Sequence, residues 1–167
     1  MSRAVLSIGS NLGDRLAHLQ SVLDGLGVGV TACSAVHETA PWGGVEQQDF
    51  LNAVLVVEDP ARGPHDWLRA AHGLEAAAQR ERAVRWGPRS LDVDVLDCDG
   101  AHSDDPELTL PHPRAHLRAF VLAPWLEVDP TAVVPGRGSV SALLAGLPDV
   151  ERSGVRRRAD LVLERRR

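Results

Sequence analysis

The most regular alternation of apolar and polar positions is Leu91-Asp92-Val93-Asp94-Val95-Leu96-Asp97, which predicts a strand with Leu91, Val93 and Val95 on one face and Asp92 and Asp94 on the other. β-branched and apolar runs at residues 3–9 and 50–58 predict two more strands, and residues 28–37 another. Leu16, Leu19, Val22, Leu23 and Leu26 recur at helical spacing and stop at Gly27 and Gly29. A second helix opens at Pro64 and carries Trp67, Leu68, Ala71, Leu74, Glu75 and Ala78. Further on, the pattern predicts a helix around 116–127, a weaker one at SVSALLAGL and a short strand near 160–163. The order β-α-β-β-α-β is that of an α+β, ferredoxin-like sandwich with C-terminal additions. Neither a repeat nor a linker interrupts it, so residues 1–167 are expected to form a single domain.

Two polar loops interrupt the pattern, over 39–49 and 79–90. The first is long for a compact domain, which favours a working role over a plain connection, and the second is polar and dense in Arg.

Composition narrows the classes. A net charge of -5 argues against a nucleic-acid or membrane-surface partner, and no apolar run reaches the roughly 18 residues of a membrane span. The N-terminus reads as a strand and not as a signal peptide. Cys33 and Cys98 lack metal-ligand spacing and suit a reducing cytoplasm, as small packed hydrophobes. All 18 basic residues are Arg, which removes any P-loop or Schiff-base lysine. The Arg-rich tail, Arg156 to Arg158 and Arg165 to Arg167, reads as a solvated terminus.

Candidate chemistry begins at Asp92 and Asp94. Carboxylates two apart on a strand repel unless a hard cation lies between them, and magnesium typically takes one or two such ligands. Taken alone, such a pair is commoner as a solvated strand face. Upstream, however, stand Arg80, Arg82, Arg85 and Arg89 around Trp86-Gly87-Pro88, a fitting cover for a polyphosphate. Scarce residue types stand out as well: the only two Phe are Phe50 and Phe120, and the only two Asn are Asn11 and Asn52. Taken singly, each Phe reads better as core packing, and His112 as a structural histidine. Ser10 and Asn11 read as helix caps.

Arg85 to Leu96, read as RWGPRSLDVDVL, resembles the signature of the 6-hydroxymethyl-7,8-dihydropterin pyrophosphokinase family. Ile8-Gly9-Ser10-Asn11-Leu12-Gly13, the Thr39-to-Gly43 and Asp49-to-Ala53 segments, Pro111 to Arg114 and Arg118 to Leu122 are similar to other family segments in the same order, covering about residues 5–130. The resemblance implies transfer of pyrophosphate from ATP to the pterin's hydroxymethyl group, and a cytoplasmic monomer is expected beside it. It implies two Mg²⁺ on Asp92 and Asp94, charge stabilisation by Arg80 and Arg89, and nucleotide contacts from Glu75, Arg82, His112 and Arg118. The pterin would lie between Phe50 and Phe120, with Asn52 on its polar edge, Trp86 over it, and Thr39, Pro41 and Trp42 beside it. Gln79, Pro113 and Trp42 depart from the common pattern. The rivals are another metal-dependent phosphoryl-transfer enzyme, which needs no aromatic slot, and a ligand-binding module that makes no AMP.

Overall fold

The computed structural model describes residues 2–41, 47–79 and 90–167. In chain order the elements are β1 (Ser2–Ser10), α1 (Arg15–Leu26), β2 (Val30–Cys33), β3 (His37–Thr39), β4 (Phe50–Asp59), α2 (Pro64–Gln79) and β5 (Asp92–Cys98). A hairpin of β6 (Ser103–Asp105) and β7 (Leu108–Leu110) follows, then a 3-10 turn (Ala115–Leu117) and α3 (Ala119–Val128). The chain ends with β8 (Val133–Val134), β9 (Gly138–Ser139), α4 (Val140–Ala145), α5 (Asp149–Ser153) and β10 (Val155–Arg157).

The main sheet runs β10-β3-β4-β1-β5 with every pairing antiparallel, and β2 also pairs with β4. With β2 and β3 counted as one broken strand, this is the ferredoxin-like arrangement, bearing β10 as an added edge. The expected strand over 28–37 is two short ones because β4 holds them at different points: β3 along Phe50 to Asn52, β2 along Leu55 to Val57. At the break Ser34 donates its N–H to the Val54 carbonyl (2.9 Å), and its Oγ accepts the Val54 N–H (2.9 Å). A hydroxyl thus does the work of a ladder carbonyl.

Alternation gives the sheet two unlike faces. Ala4, Leu6, Ile8, Leu51, Ala53, Leu55, Val57, Val93 and Val95 point to α1 and α2, which bury Leu19, Val22, Leu23, Trp67 and Ala71 against them. Trp67 also donates its indole N–H to Ser2 Oγ at 2.8 Å, so no polar atom of that ring is left without a partner. Truncating a fully buried leucine such as Leu23 to alanine costs about 2–5 kcal/mol. On the opposite face Val5, Val54 and Leu96 meet Val121, Leu122 and Trp125 of α3, together with Val140. That second cluster covers only part of the face.

Three expectations are corrected. Asp14, and neither Ser10 nor Asn11, caps α1, its carboxylate accepting the Ala17 N–H at 3.1 Å; Asn11 instead donates to Gln47 Oε1 at 2.9 Å. No strand forms over 160–163: Leu161 and Leu163 pack onto the core without a ladder, and the last strand is β10. The arginine tail is not simply solvated, for Arg156 and Arg158 bind Glu38, Arg165 donates to the Thr31 carbonyl and Arg166 pairs with Asp24 at 2.9 Å.

Candidate active site

Where α3 and its neighbours stop covering the sheet, a cavity of about 920 Å³ opens. Its floor follows from strand register. Gly9 lies opposite both Asn52 and Asp92, and Ser7 opposite Asp94, so these side chains share one face and look into the cavity. Their neighbours in sequence, Ile8, Leu51, Ala53 and Val93, belong to the core on the other side. Period-two alternation therefore turns an apolar strand into a core wall and a polar floor at once.

Asp92 and Asp94 are half-buried on β5, about 6.6–7 Å apart at Cα from the strand rise. Across the ladder their register partners are Gly9 and Ser7. Two carboxylates on one face of a shared cavity are a fitting donor set for magnesium, which needs only one or two protein oxygens. Among the described residues no group of three or more His, Cys, Asp or Glu forms a fuller cage.

The opposite end of the floor is aromatic and amide-bearing. Phe50 opens β4 and Phe120 sits in the first turn of α3, and both rings line the cavity, one from the sheet and one from the helix above it. Asn52 is 4% exposed and donates Nδ2 to Thr39 Oγ1 at 3.1 Å. Its carbonyl oxygen lies over Gly9, where an added Cβ would stand 2.6 Å away. Thr39 and Pro41 complete this side.

Above the acids, Arg114 and Arg118 line the cavity, with the Arg118 guanidinium 5.6 Å from the Phe120 ring centroid, within cation–π range. His112 is half-buried behind them. Its N–H donates to the Leu96 carbonyl at 3.1 Å, and its Nδ1 accepts the Arg114 N–H at 3.1 Å. That second bond leaves the proton of the neutral ring on Nε2. Burial pushes the imidazole below its ordinary range; Asp94 opposes this, and Arg118 and Arg114 add to it. His112 is therefore a neutral donor at physiological pH.

Of the expected site residues, Asp92, Asp94, Thr39, Pro41, Phe50, Asn52, Arg118 and Phe120 are brought to one cavity. His112 stands just behind the wall, and Glu75 is half-buried on α2, outside the described cavity lining. Arg80, Arg82, Trp86, Arg89 and Trp42 lie outside the described residues. The sequence reasoning did not single out Gly9, Ser7, Arg114, or a wall built from Val150, Glu151, Gly154 and Val155. Gly9 carried a signal as a glycine within the Ile8-to-Gly13 family segment, and Arg114 as the end of the Pro111-to-Arg114 segment that holds His112. The C-terminal wall left no local signal.

The chain is similar to known proteins throughout. Residues 5–130 match the family model described as 7,8-dihydro-6-hydroxymethylpterin-pyrophosphokinase (HPPK). The 2-amino-4-hydroxy-6-hydroxymethyldihydropteridine pyrophosphokinase of Mycobacterium tuberculosis (strain ATCC 25618 / H37Rv) is 53% identical over 168 residues, covering 93% of this chain and 89% of the relative. The protein of the same name from Methylorubrum extorquens is 43% identical over 147 residues, covering 86% and 92%. Among solved structures, the wild-type Plasmodium falciparum HPPK-DHPS with pterin and p-hydroxybenzoate superposes with a TM-score of 0.64 at 14% identity, over 86% of this chain. This chain spans 41% of that one, and the likeness is one of fold. With its family model matched over most of its length and its relatives covered nearly end to end, the chain belongs to the 7,8-dihydro-6-hydroxymethylpterin-pyrophosphokinase family.

Proposed function

We propose that the chain transfers the pyrophosphoryl group of ATP to the hydroxymethyl group of 6-hydroxymethyl-7,8-dihydropterin, giving the pterin diphosphate and AMP in folate biosynthesis. One observation carries the reading: an aromatic and amide slot, Phe50, Phe120 and Asn52, shares a single cavity with the acidic pair Asp92 and Asp94. A generic phosphoryl-transfer enzyme needs the acids and has no use for the slot. A binding module has no use for the paired acids.

The roles divide along the floor. Phe50 and Phe120 take the two faces of the pterin, and Asn52 satisfies its polar edge, oriented by Thr39. The substrate's hydroxymethyl oxygen then lies toward Asp92 and Asp94. That oxygen attacks the β-phosphorus of ATP in line; a new P–O bond forms as the hydroxyl loses its proton to water, the bond from the β-phosphorus to the α,β-bridging oxygen breaks, and AMP leaves with that oxygen. Two magnesium ions, when held by Asp92 and Asp94, supply the positive charge this transfer needs. Arg118 and the neutral His112 hold phosphate oxygens. Arg80, Arg82 and Arg89 are assigned to the same task, Glu75 to the nucleotide, and Trp42, Pro41 and Trp86 to the pterin, on the resemblance of their segments alone.

The protein is read as one catalytic domain, a cytoplasmic monomer acting on small molecules and on neither nucleic acid nor membrane. Among the described residues no helix is long and apolar enough to cross a membrane. The test is direct: purified protein, ATP, Mg²⁺ and hydroxymethyldihydropterin, with AMP and pterin diphosphate measured. AMP that forms without pterin, or none at all, overturns the reading.

A further inference from the structure

The family match ends at residue 130, but the cavity wall does not. α5 and β10 bring Val150, Glu151, Gly154 and Val155 to it. Register explains their placement. Val155 lies opposite Thr39 in the β10–β3 ladder, and Thr39 opposite Phe50 in β3–β4, so the three form one row on the cavity face. Val155 therefore extends the slot one strand beyond Thr39.

The next residue, Arg156, points the other way and binds two carboxylates: its Nη2 donates to Glu38 Oε1 at 3.1 Å and to Asp49 Oδ2 at 3.0 Å. Glu38 directly precedes Thr39, and Asp49 directly precedes Phe50. Arg15 of α1 repeats the bridge, with Nη1 on Glu38 Oε2 at 2.8 Å and on the Asp49 carbonyl at 2.7 Å. Arg158 adds a third bond, to Glu38 Oε1, at 3.1 Å. β3 is only three residues long, and so short a ladder holds its ends weakly without side-chain help.

We propose that the C-terminal segment around β10 is a specificity and positioning element of the slot, Val155 closing its outer end and Arg156 fixing the spacing between Thr39 and Phe50. This rests on the reading that the slot takes a pterin. Arg156 touches no substrate; it acts through Glu38 and Asp49. The edge of the ring away from the acids, remote from its hydroxymethyl group, is what Val155 would select.

The experiment compares KM for hydroxymethyldihydropterin and for ATP in wild type, Arg156→Ala, Val155→Phe and Arg166→Ala. Arg166 also forms an exposed ion pair, with Asp24 on the outside of α1, and serves as the control. Arg156→Ala should raise the pterin KM about three- to fivefold, with the ATP KM unchanged, as suits loss of a largely exposed clamp. Val155→Phe should raise the same constant at least as much, while Arg166→Ala should move neither. A pterin KM for Arg156→Ala equal to that of Arg166→Ala, an equal rise in both constants, or an indifferent Val155→Phe overturns the proposal. Wild-type protein that makes no pterin diphosphate would instead sink the functional reading beneath it.

Discussion

A Cβ on Gly9 would stand 2.6 Å from Oδ1 of Asn52, so the Asn52 amide holds its present orientation because β1 carries no side chain at that point. Real contacts do not come that close, and the buried amide has Thr39 on its other side. Gly9→Ala should therefore turn Asn52 away and reproduce much of the effect of Asn52→Ala. Both should raise the pterin KM about tenfold or more, the cost of leaving a polar partner unsatisfied. Steady-state kinetics with each substrate varied in turn checks this.

Asp92→Asn and Asp94→Asn keep the shape of the floor and remove its charge. Each should lower kcat by at least about a hundredfold while leaving circular dichroism and pterin affinity near wild type. An Asp92→Asn protein with undiminished AMP formation would show that the acids are a plain strand face.

Phe50→Ala and Phe120→Ala should each raise the pterin KM by roughly tenfold and change the ATP KM little, since a ring stacked on one side only loses half its apolar cover. The double variant should cost less than the sum of the two, because both rings act on one ligand.

Acid should loosen the clamp. Burial alone would raise the Glu38 carboxyl, but hydrogen bonds and charge from Arg15 and Arg158 outweigh it and hold the group below the ordinary glutamate range. A carboxyl depressed in the folded state stabilises fully above its unfolded value, about 4.3, and this contribution fades as pH falls through the folded value. The urea midpoint should thus fall more steeply below about pH 4.5 in wild type than in Glu38→Gln, which has already lost it at neutral pH.

Both thiols should be inert. Burial pushes Cys33 up to about 11, against a small opposing effect of Arg165, and burial likewise raises Cys98, which sits against Ser2 Oγ. Iodoacetamide at neutral pH should label neither in the native protein and both in urea, as read by intact mass.

The strands that build the site were legible because alternation and burial coincide there: Asp92 and Asp94 flank Val93, and Asn52 lies between Leu51 and Ala53. The slot could be anticipated only through the family resemblance of the segments that carry Phe50, Asn52 and Phe120, with the scarcity of Phe and Asn in support. Other features were not local at all. Nothing in Val155-Arg156-Arg157 marks an edge strand, because its carboxylate partners, Glu38 and Asp49, lie more than a hundred residues away. Leu161-Val162-Leu163 mimics a strand because a tail packed on a core also shows every second residue apolar. The split between β2 and β3 turns on the Ser34 hydroxyl bonding across to Val54, which no period reveals.

The sheet face that α3 leaves half covered has a thermodynamic consequence. Where other two-layer proteins place a further helix, this one leaves a cavity, and on the proposed function nucleotide and pterin become the final layer of the fold. Unfolding must then expel them, and each binding equilibrium is linked to the folding equilibrium. A ligand held at a hundred times its Kd adds about 2.7 kcal/mol to the stability of the chain. The protein without substrates is in this sense a structure awaiting completion, and heat resistance should track substrate supply.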